Sequence, residues 1–350
     1  MKSDSFSHRF PDVLRLERNL HLARFENKKI IPALAIAQDA LDSGLLKREK
    51  STWIDTSSGT YAMALARVCA GLGIRLKIVT GPSIGGLKSR LEAFGVSVYV
   101  VEDAAESGGI QQARLNRLTA LLDATSWSFT SHPYSNPLIP KSYASCAAHV
   151  LQALDRPPDI LVDSVGSGGS LMGFAEAIRN VNPDLKVVAV DVPNSVLFGL
   201  SDGPREVPGM GNSIMPGNLD HEVIDEVHWI PPRLIYAFAH HLARDHGLFP
   251  GLTASASYGV AQKLASSNPS KTVLFLQSDT GHRYGDVWRD CSNFNPDVKL
   301  NSPTMVQHPS AVTNSNWWYC MKWTRRSLSD VLSEEPRALP KPKSSVEIDF

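Results

Sequence analysis

The stretch Val165-Gly166-Ser167-Gly168-Gly169-Ser170 carries the most information about the fold of this chain. It directly follows the apolar run Ile160–Val162 and precedes a helical pattern that begins at Leu171. A buried strand that leads through small residues into a helix forms an anion site. Glycines let the backbone approach the anion, and the helix N-terminus presents N–H groups to it. The stretch therefore predicts a phosphate-binding loop, although an ordinary glycine-rich strand–helix turn would have the same composition.

This loop does not match the common nucleotide-binding motifs. The dinucleotide fingerprint fails because Leu171 stands where its third glycine should be. No Lys-Ser/Thr pair closes the loop, so it is not a P-loop, and no nucleophile elbow surrounds Ser164, Ser167 or Ser170. We therefore expect a phosphorylated cofactor other than a dinucleotide or a nucleoside triphosphate.

Composition excludes several functional classes. The chain has 350 residues, which predicts two domains or one large domain, and its formal net charge is zero. Charges of both signs are mixed along the chain, which argues against nucleic acid or an acidic membrane surface as the partner. The N-terminus leads to no apolar signal region, and no apolar run is long enough to span a bilayer. We expect a soluble, cytoplasmic protein.

The four cysteines predict neither a disulfide framework nor a metal site. They are scattered along the chain without a C-x-x-C pair, and no histidine stands at metal-ligand spacing. Cys69 and Cys146 lie in apolar helical patterns and are expected to pack as small hydrophobic residues.

Short β-rich runs alternate with helical patterns from Leu20 to Gln277. One such helix is predicted over Pro32–Ser43, with Gly44 just past its end. Alternation of this kind predicts an α/β fold with largely parallel sheets and helices on both faces. Ligands in such sheets bind at the carboxyl ends of the strands, which is where the glycine-rich loop is expected.

The last fifty residues have a different character. Asn301–Asn316 is polar with scattered prolines, and Trp317-Trp318-Tyr319 forms an isolated aromatic patch. We expect residues 301–350 to form an appendage whose aromatic patch packs on the body or on a partner subunit. The Pro/Lys/Ser-rich run Pro336–Ser345 is expected to be disordered.

Two further loops carry hydroxyl groups at predicted strand ends. Ser57-Ser58-Gly59-Thr60 follows the run Thr52–Asp55 and precedes a helix, so it suits a carboxylate, although Ser57 or Ser58 could simply cap that helix. Thr280 follows the strand that ends at Gln277. Its hydroxyl could hold a ring nitrogen, or it could be an ordinary turn residue.

Together these loops resemble those of the fold-type-II pyridoxal-phosphate enzymes, in particular the cysteine synthase and cystathionine β-synthase family. The resemblance covers most of Val13–Tyr284. The family's substrate-carboxylate loop is similar to Ser57–Thr60, and its phosphate loop to Gly166–Ser170. Three further segments match in the expected order: Pro208-Gly209-Met210-Gly211-Asn212, Ile224-Asp225-Glu226-Val227 and Asp279-Thr280-Gly281.

The resemblance implies a two-domain protein that binds pyridoxal 5'-phosphate and an amino-acid substrate, and that forms a homodimer. Residues 1–44 and 138–300 would form a larger cofactor domain, and residues 45–137 a smaller, mobile substrate domain. The phosphate would be held by Gly166, Ser167, Gly168, Gly169 and Ser170. Thr280 would face the ring nitrogen, Thr60 would contact the ring as well as the substrate, and Ser57, Ser58 and Gly59 would bind the substrate carboxylate.

The resemblance also places the Schiff-base lysine at Lys29, by its register with the turn at Gly44-Leu45-Leu46, and leaves Lys28 as the alternative. The family's motif around this lysine is replaced by the shorter Glu26–Pro32 segment. A lysine between apolar residues and a helix start is partly desolvated, which lowers its pKa and favours the neutral amine that imine formation needs.

The implied reaction is β-elimination or β-replacement on an O-activated, serine-like amino acid. Thr280 cannot supply the carboxylate that keeps the ring nitrogen protonated in transaminases. Thr60 replaces the family's Asn, and Ser131–Pro137 lacks the family's Gln, so a specialised pathway is favoured over ordinary cysteine synthesis. A non-catalytic or regulatory relative, a racemase or dehydratase of the same fold, and an unrelated sugar-phosphate enzyme remain as alternatives.

Overall fold

The computed structural model describes residues 10–82, 86–102, 109–285, 302–313 and 315–334. The strands are β1 (Asp12–Glu17), β2 (Leu20–Arg24), β3 (Thr52–Thr56), β4 (Arg75–Thr80), β5 (Ser97–Val100), β6 (Ser128–Phe129), β7 (Ile160–Ser164), β8 (Lys186–Asp191), β9 (Glu226–Trp229), β10 (Val273–Gln277), β11 (Thr304–Met305) and β12 (Tyr319–Lys322). The helices are α1 (Ile30–Asp42), α2 (Thr60–Leu72), α3 (Leu87–Ala93), α4 (Ile110–Asp123), α5 (Leu138–Lys141), α6 (Ala144–Ala153), α7 (Gly169–Arg179), α8 (Pro232–His246), α9 (Leu252–Ser267) and α10 (Leu328–Ser333).

The strands form two sheets. The larger has eight strands in the order β1-β2-β10-β7-β8-β9-β12-β11, and its central strands β2 to β9 are parallel. β1 and β12 run antiparallel to their neighbours β2 and β9. The smaller sheet has four strands in the order β5-β4-β3-β6, all of them parallel. The predicted α/β fold with largely parallel sheets is confirmed.

The strands of the smaller sheet all lie between residues 52 and 129. The predicted division into a cofactor domain and a mobile substrate domain, with boundaries at residues 44 and 137, stays a prediction. Residues 301–350, expected as an appendage, contribute β11 and β12 to the larger sheet.

Helix α1 shows why the sequence pattern folds as it does. Its buried residues Ile30, Ala33, Ala37 and Ala40 recur at helical spacing and form one apolar face. The helix begins two residues before the predicted Pro32, because Ile30 and Ile31 are themselves buried. This start places the Lys28-Lys29 pair directly at the helix N-terminus.

The aromatic patch near the C-terminus packs against the body. Trp318 and Tyr319 are buried, as predicted, whereas Trp317 is 52% exposed. Trp318 Nε1 donates a hydrogen bond of 3.0 Å to Nδ1 of His228 on β9. The predicted disordered run Pro336–Ser345 lies outside the described residues. Among those residues, none of the helices combines the length and apolar character needed to cross a bilayer.

Candidate active site

A cavity of about 460 Å³ lies where the carboxyl ends of β3, β7 and β10 face the N-terminus of α1. Most of the predicted site residues line it: Lys28, Lys29, Ser57, Ser58, Gly59, Thr60, Gly166, Ser167, Gly168 and Ser170. Gly169 and Thr280 are not part of its wall within the described residues. The structure therefore brings loops from both sheets to one cavity, as expected for parallel α/β sheets.

The glycine-rich loop is shaped so that larger residues would not fit. Gly168 has φ +81°, and a Cβ there would lie 2.9 Å from Leu219 Cα and 3.1 Å from the carbonyl oxygen of Asn218. A Cβ at Gly166 would lie 3.3 Å from the carbonyl oxygen of Gly209. Helix α7 begins at Gly169, and the first N–H groups of a helix have no partner inside it. The loop can therefore hold a phosphate through backbone N–H groups.

The Ser170 hydroxyl does not point toward such a phosphate. It donates a hydrogen bond of 2.6 Å to Oδ2 of Asp163, which is fully buried on β7. The same carboxylate accepts hydrogen bonds from Lys28 Nζ at 2.9 Å (Oδ1) and 2.8 Å (Oδ2). Asp163 thus connects the phosphate loop to the first of the two adjacent lysines.

Lys29 is placed differently from its neighbour. It is half-buried, it is the N-cap of α1, and its backbone N–H donates to Asn27 Oδ1 at 3.0 Å. Its Nζ forms no hydrogen bond or ion pair with any residue that the structure describes. Burial, followed by the nearby Lys28 cation, lowers the pKa of Lys29 to about 8, and Asp163 partly opposes this shift. Lys29 can therefore supply a neutral amine near physiological pH.

Asn27 and Lys28 fix the lysine segment to the other loops. Asn27 Nδ2 donates a hydrogen bond of 3.0 Å to the carbonyl oxygen of Thr60, at the start of α2. The backbone N–H of Lys28 donates to the carbonyl oxygen of Ser278 at 2.9 Å, just after β10. The shortened lysine segment is thereby held against both sheets.

The Ser57–Thr60 loop both stabilises the start of α2 and lines the cavity. Ser57 Oγ accepts hydrogen bonds from the N–H groups of Gly59 (3.1 Å) and Ala62 (3.2 Å), so Ser57 stabilises the start of α2, as the capping alternative predicted. Arg283 Nη2 donates to the carbonyl oxygen of Ser58 at 3.1 Å. The N–H groups of Thr60 and Tyr61, the first two residues of α2, have no acceptor inside the helix. Both residues belong to the cavity wall, where such groups can bind an anion.

The segment after β10 presents polar atoms that lack partners. Thr280 pairs with Pro250 through an isolated bridge and lies beside the cavity rather than in its wall. Asp279 Oδ1 and Thr253 Oγ1 are buried, belong to residues of the cavity wall, and form no hydrogen bond. Burial raises the pKa of Asp279, and Arg283 and Tyr284 oppose the shift. A polar ring in the cavity would satisfy such atoms, since buried polar groups are normally paired.

Sequence reasoning missed Arg114, which lies on α4 in the cavity wall. Its side chain is buried, and its Nε donates to Thr56 Oγ1 at 2.9 Å. Its Nη2 reaches the Tyr134 hydroxyl at 3.4 Å. The described residues place no carboxylate within ion-pair distance of this guanidinium. No sequence signal separated Arg114 from its neighbour Arg117, since only the fold shows which one faces the cavity.

Comparison with known proteins identifies the family. The sequence profile of the family described as "Pyridoxal-phosphate dependent enzyme" matches residues 20–279. The chain belongs to this family. A protein from Cupriavidus metallidurans, named N-(2-amino-2-carboxyethyl)-L-glutamate synthase, is 31% identical over 265 residues, covering 74% of this chain and 77% of the relative. A protein of the same name from Ralstonia nicotianae is 33% identical over 236 residues, covering 67% and 70%.

Solved structures give the same result for this pyridoxal-phosphate enzyme. The crystal structure of O-ureido-L-serine synthase superposes with a TM-score of 0.73 at 25% identity, over 81% of this chain and 93% of that one. A cysteine synthase from Entamoeba histolytica has a TM-score of 0.72 at 21% identity, over 82% and 89%, and supports the fold. The predicted family, cofactor and cysteine synthase-like β-replacement chemistry are therefore confirmed.

The residues present fit pyridoxal 5'-phosphate. The Gly166–Gly168 loop packs so closely on neighbouring backbone that a Cβ at Gly166 or Gly168 would displace it, and the start of α7 supplies N–H donors for a phosphate. Lys29 offers an unpaired amine in the same cavity. Thr253 Oγ1 is an orphaned polar atom of the cavity wall that a bound ring could satisfy. The family match over residues 20–279 excludes the alternative of an unrelated sugar-phosphate enzyme.

Proposed function

We propose that this enzyme joins the β-carbon of an O-activated L-serine to the amino nitrogen of a second, acidic amino acid. Two relatives support this proposal through their name, N-(2-amino-2-carboxyethyl)-L-glutamate synthase. That name describes a serine-derived 2-amino-2-carboxyethyl group on the nitrogen of glutamate. The proposal narrows the general β-replacement chemistry to the formation of a carbon–nitrogen bond.

The surroundings of Arg114 are the main support for an acidic second substrate. Buried charges in proteins are normally paired, yet this buried guanidinium has two hydroxyl partners and no carboxylate among the described residues. Its planar donor groups suit a carboxylate, which they can bind through two parallel hydrogen bonds. A carboxylate of the incoming amino acid would complete the ion pair that the protein leaves open.

The proposed roles follow from these positions. Pyridoxal phosphate, when bound, acts as an electron sink for charge that develops at the α-carbon of the amino acid. Lys29 is proposed as the residue that attaches the cofactor, and its Nζ takes the α-proton. The leaving group departs from Cβ with its electron pair. The amine of the second substrate then bonds to Cβ through its lone pair and releases one proton to solvent, and Lys29 Nζ returns the α-proton to the α-carbon.

The remaining predicted positions belong to the same proposal. Ser58, Gly59 and Thr60 bind the α-carboxylate at the start of α2, while Ser57 shapes that loop. The backbone of Gly166–Ser170 holds the phosphate. Thr280 as the ring-nitrogen contact stays a prediction, with Thr253 as a second hydroxyl that the cavity wall offers.

Product analysis tests the proposed reaction. Holoenzyme is incubated with O-acetyl-L-serine or O-phospho-L-serine together with L-glutamate, and the products are identified by mass spectrometry. We expect the N-linked adduct of glutamate, little adduct with glutamine, and slow formation of cysteine when sulfide replaces glutamate. Fast cysteine formation without a glutamate adduct would contradict the proposed nucleophile but leave the β-replacement class intact.

The proposal also includes a cytoplasmic homodimer. Light scattering of the purified holoenzyme should give twice the chain mass, and cell fractionation should recover the protein with the soluble enzymes. A monomer that is fully active would contradict the first expectation, and recovery with membranes would contradict the second.

A further inference from the structure

Two adjacent lysines line one cavity, and the cofactor has a single aldehyde. Both Lys28 and Lys29 belong to the cavity wall. Nothing in the length or composition of a lysine side chain favours one of them over the other. The surroundings of the two side chains must therefore decide which one reacts.

The surroundings of Lys28 are dominated by Asp163. Lys28 Nζ lies 2.8 Å from Asp163 Oδ2 and 2.9 Å from Oδ1, and the two side chains are 3% and 0% exposed. Hydrogen bonds between charged groups are shorter and stronger than those between neutral groups. Lys29, by contrast, has no acidic partner among the described residues.

Asp163 is itself held in place from the phosphate loop. Ser170 Oγ donates to its Oδ2 at 2.6 Å, and Ser170 lies in the first turn of α7. The carboxylate therefore accepts three hydrogen bonds, two from Lys28 and one from Ser170, and it sits on the central strand β7. A buried ion pair gains little stability over apolar residues of similar size, so its presence here calls for another role.

We propose that Asp163 is a positioning residue that keeps Lys28 in an ion pair and so directs the cofactor to Lys29. This inference rests on the role of Lys29 in the proposed function. Imine formation needs the lone pair of an uncharged amine, which adds to the aldehyde carbon, and water leaves. An ammonium has no lone pair to donate. The Lys28 ammonium held by Asp163 is therefore unreactive, while Lys29 is free to bond.

The same arrangement assists Lys29. The Lys28 cation lies next in sequence and, after burial, is the largest influence that lowers the pKa of Lys29. The Lys28–Asp163 ion pair thus keeps the Lys28 amine from reacting and favours the neutral form of the Lys29 amine. It also ties this choice to the loop that holds the phosphate, because Ser170 belongs to that loop.

Borohydride trapping followed by peptide mapping tests the inference. Purified holoenzyme is reduced, digested and analysed by mass spectrometry, with exposed Lys88 as the measure of non-specific labelling. We expect the wild-type adduct on Lys29. Lys29→Ala, supplied with excess cofactor, should show no adduct on Lys28 above the Lys88 background. Lys29→Ala combined with Asp163→Asn should show an adduct on Lys28, because a buried lysine without a counterion favours its neutral form.

Asp191→Asn in the Lys29→Ala background is the matched control. Asp191 is also buried, lies on the adjacent strand β8, and is not part of the cavity wall within the described residues. This control should leave Lys28 unlabelled. Circular dichroism checks that each variant is folded, and Asp163→Ser in the same background replaces the Asn variant if that one does not fold.

The outcomes separate this inference from the proposed function. A wild-type adduct on Lys28 would overturn the role of Lys29 in the proposed function. A wild-type adduct on Lys29, together with labelling of Lys28 in Lys29→Ala alone, would overturn the inference and leave the function intact. Failure of folded Lys29→Ala/Asp163→Asn and Lys29→Ala/Asp163→Ser to label Lys28 would also overturn it.

Discussion

Arg283 Nη2 donates a hydrogen bond of 3.1 Å to the carbonyl oxygen of Ser58. The bond joins the segment after β10, in the larger sheet, to the loop after β3, in the smaller sheet. Arg283 Nη1 also lies 3.5 Å from Asp279 Oδ2, which fixes the guanidinium from its own side. The loop assigned to the substrate carboxylate is thus held by a residue of the other sheet.

Replacing Arg283 with Met should loosen this loop. The loss of one hydrogen bond is worth about 1 kcal/mol, so we expect roughly a fivefold rise in KM for the O-activated serine, with a smaller effect on kcat. Hydrogen exchange of residues 57–62 should become faster. Arg24→Met is the control, because Arg24 pairs with Asp12 at the exposed edge of the larger sheet. Equal hydrogen-exchange rates of residues 57–62 in the Arg283→Met and Arg24→Met variants would show that the contact between Arg283 and Ser58 does not hold the loop.

The reactivity of Lys29 should depend on pH with a midpoint near 8. Its lowered pKa of about 8 means that the neutral fraction passes one half there, and that reactivity is lost as the pH falls below it. The rate at which cofactor-free protein regains visible absorbance after adding pyridoxal phosphate measures this midpoint across a pH series. A midpoint near the ordinary lysine pKa of 10.5 would show that burial does not lower the pKa of Lys29.

Two substitutions at Lys28 sharpen that measurement. Lys28→Met removes the cation and leaves Asp163, whose charge raises the pKa of Lys29, so the midpoint should move to higher pH. Lys28→Arg keeps a cation that cannot form the imine, so the midpoint should change little. Identical midpoints for the Met and Arg variants would show that charge at residue 28 has no influence.

Gly168→Ala should weaken cofactor binding more than it lowers stability. The positive φ alone costs about 1 to 2 kcal/mol for a residue with a Cβ. Beyond that strain, the new Cβ would lie 2.9 Å from Leu219 Cα and force the loop to move. Gly44→Ala is the matched control, since Gly44 has φ +74° and no atom within 4 Å of the added Cβ.

Cofactor titration and thermal melting distinguish these two glycine variants. Both should melt at lower temperature, but only Gly168→Ala should require more pyridoxal phosphate for saturation. If Gly44→Ala weakens cofactor binding equally, the effect would come from lost stability and not from the phosphate loop.

Arg114→Met should raise KM for the acidic amino acid and leave KM for the O-activated serine nearly unchanged. A hydrogen bond to a charged group contributes about 1.5 to 3 kcal/mol, which corresponds to more than tenfold in KM. Arg117→Met is the control, because Arg117 lies on the same helix but is exposed and stacks on Tyr99. A similar rise in KM for both substrates would indicate general damage to the cavity.

The sequence was sufficient for features that depend on local pattern. Alternating strands and helices predicted the parallel sheets, and small residues after an apolar run predicted the Gly166–Ser170 loop. The prediction of Lys29 over Lys28 depends on register, whereas the carboxylate that pairs with Lys28, that of Asp163, lies 135 residues away. Ion pairs of that sequence separation leave no periodic signal.

Other features depended on tertiary contacts in the same way. Arg114 and Arg117 are indistinguishable by spacing, because only packing shows which faces the cavity. Thr280 forms an isolated bridge with Pro250 and lies outside the cavity wall, whereas Ser278 and Asp279 belong to the wall. The position of these three residues after the same strand does not distinguish them. Strand β12 has four residues, too few for a convincing alternation of apolar and polar side chains.

The outer strands of the larger sheet have a practical consequence. The N-terminal hairpin β1–β2 covers one edge of the larger sheet, and β12 with β11 covers the other. A chain shortened to end at residue 300 would retain every residue assigned to the cofactor, yet it would uncover β9, whose four residues are buried. An uncovered strand edge presents unpaired backbone N–H and C=O groups that recruit strands from other molecules. Such a shortened enzyme should therefore aggregate during expression, and its insolubility would say nothing about its chemistry.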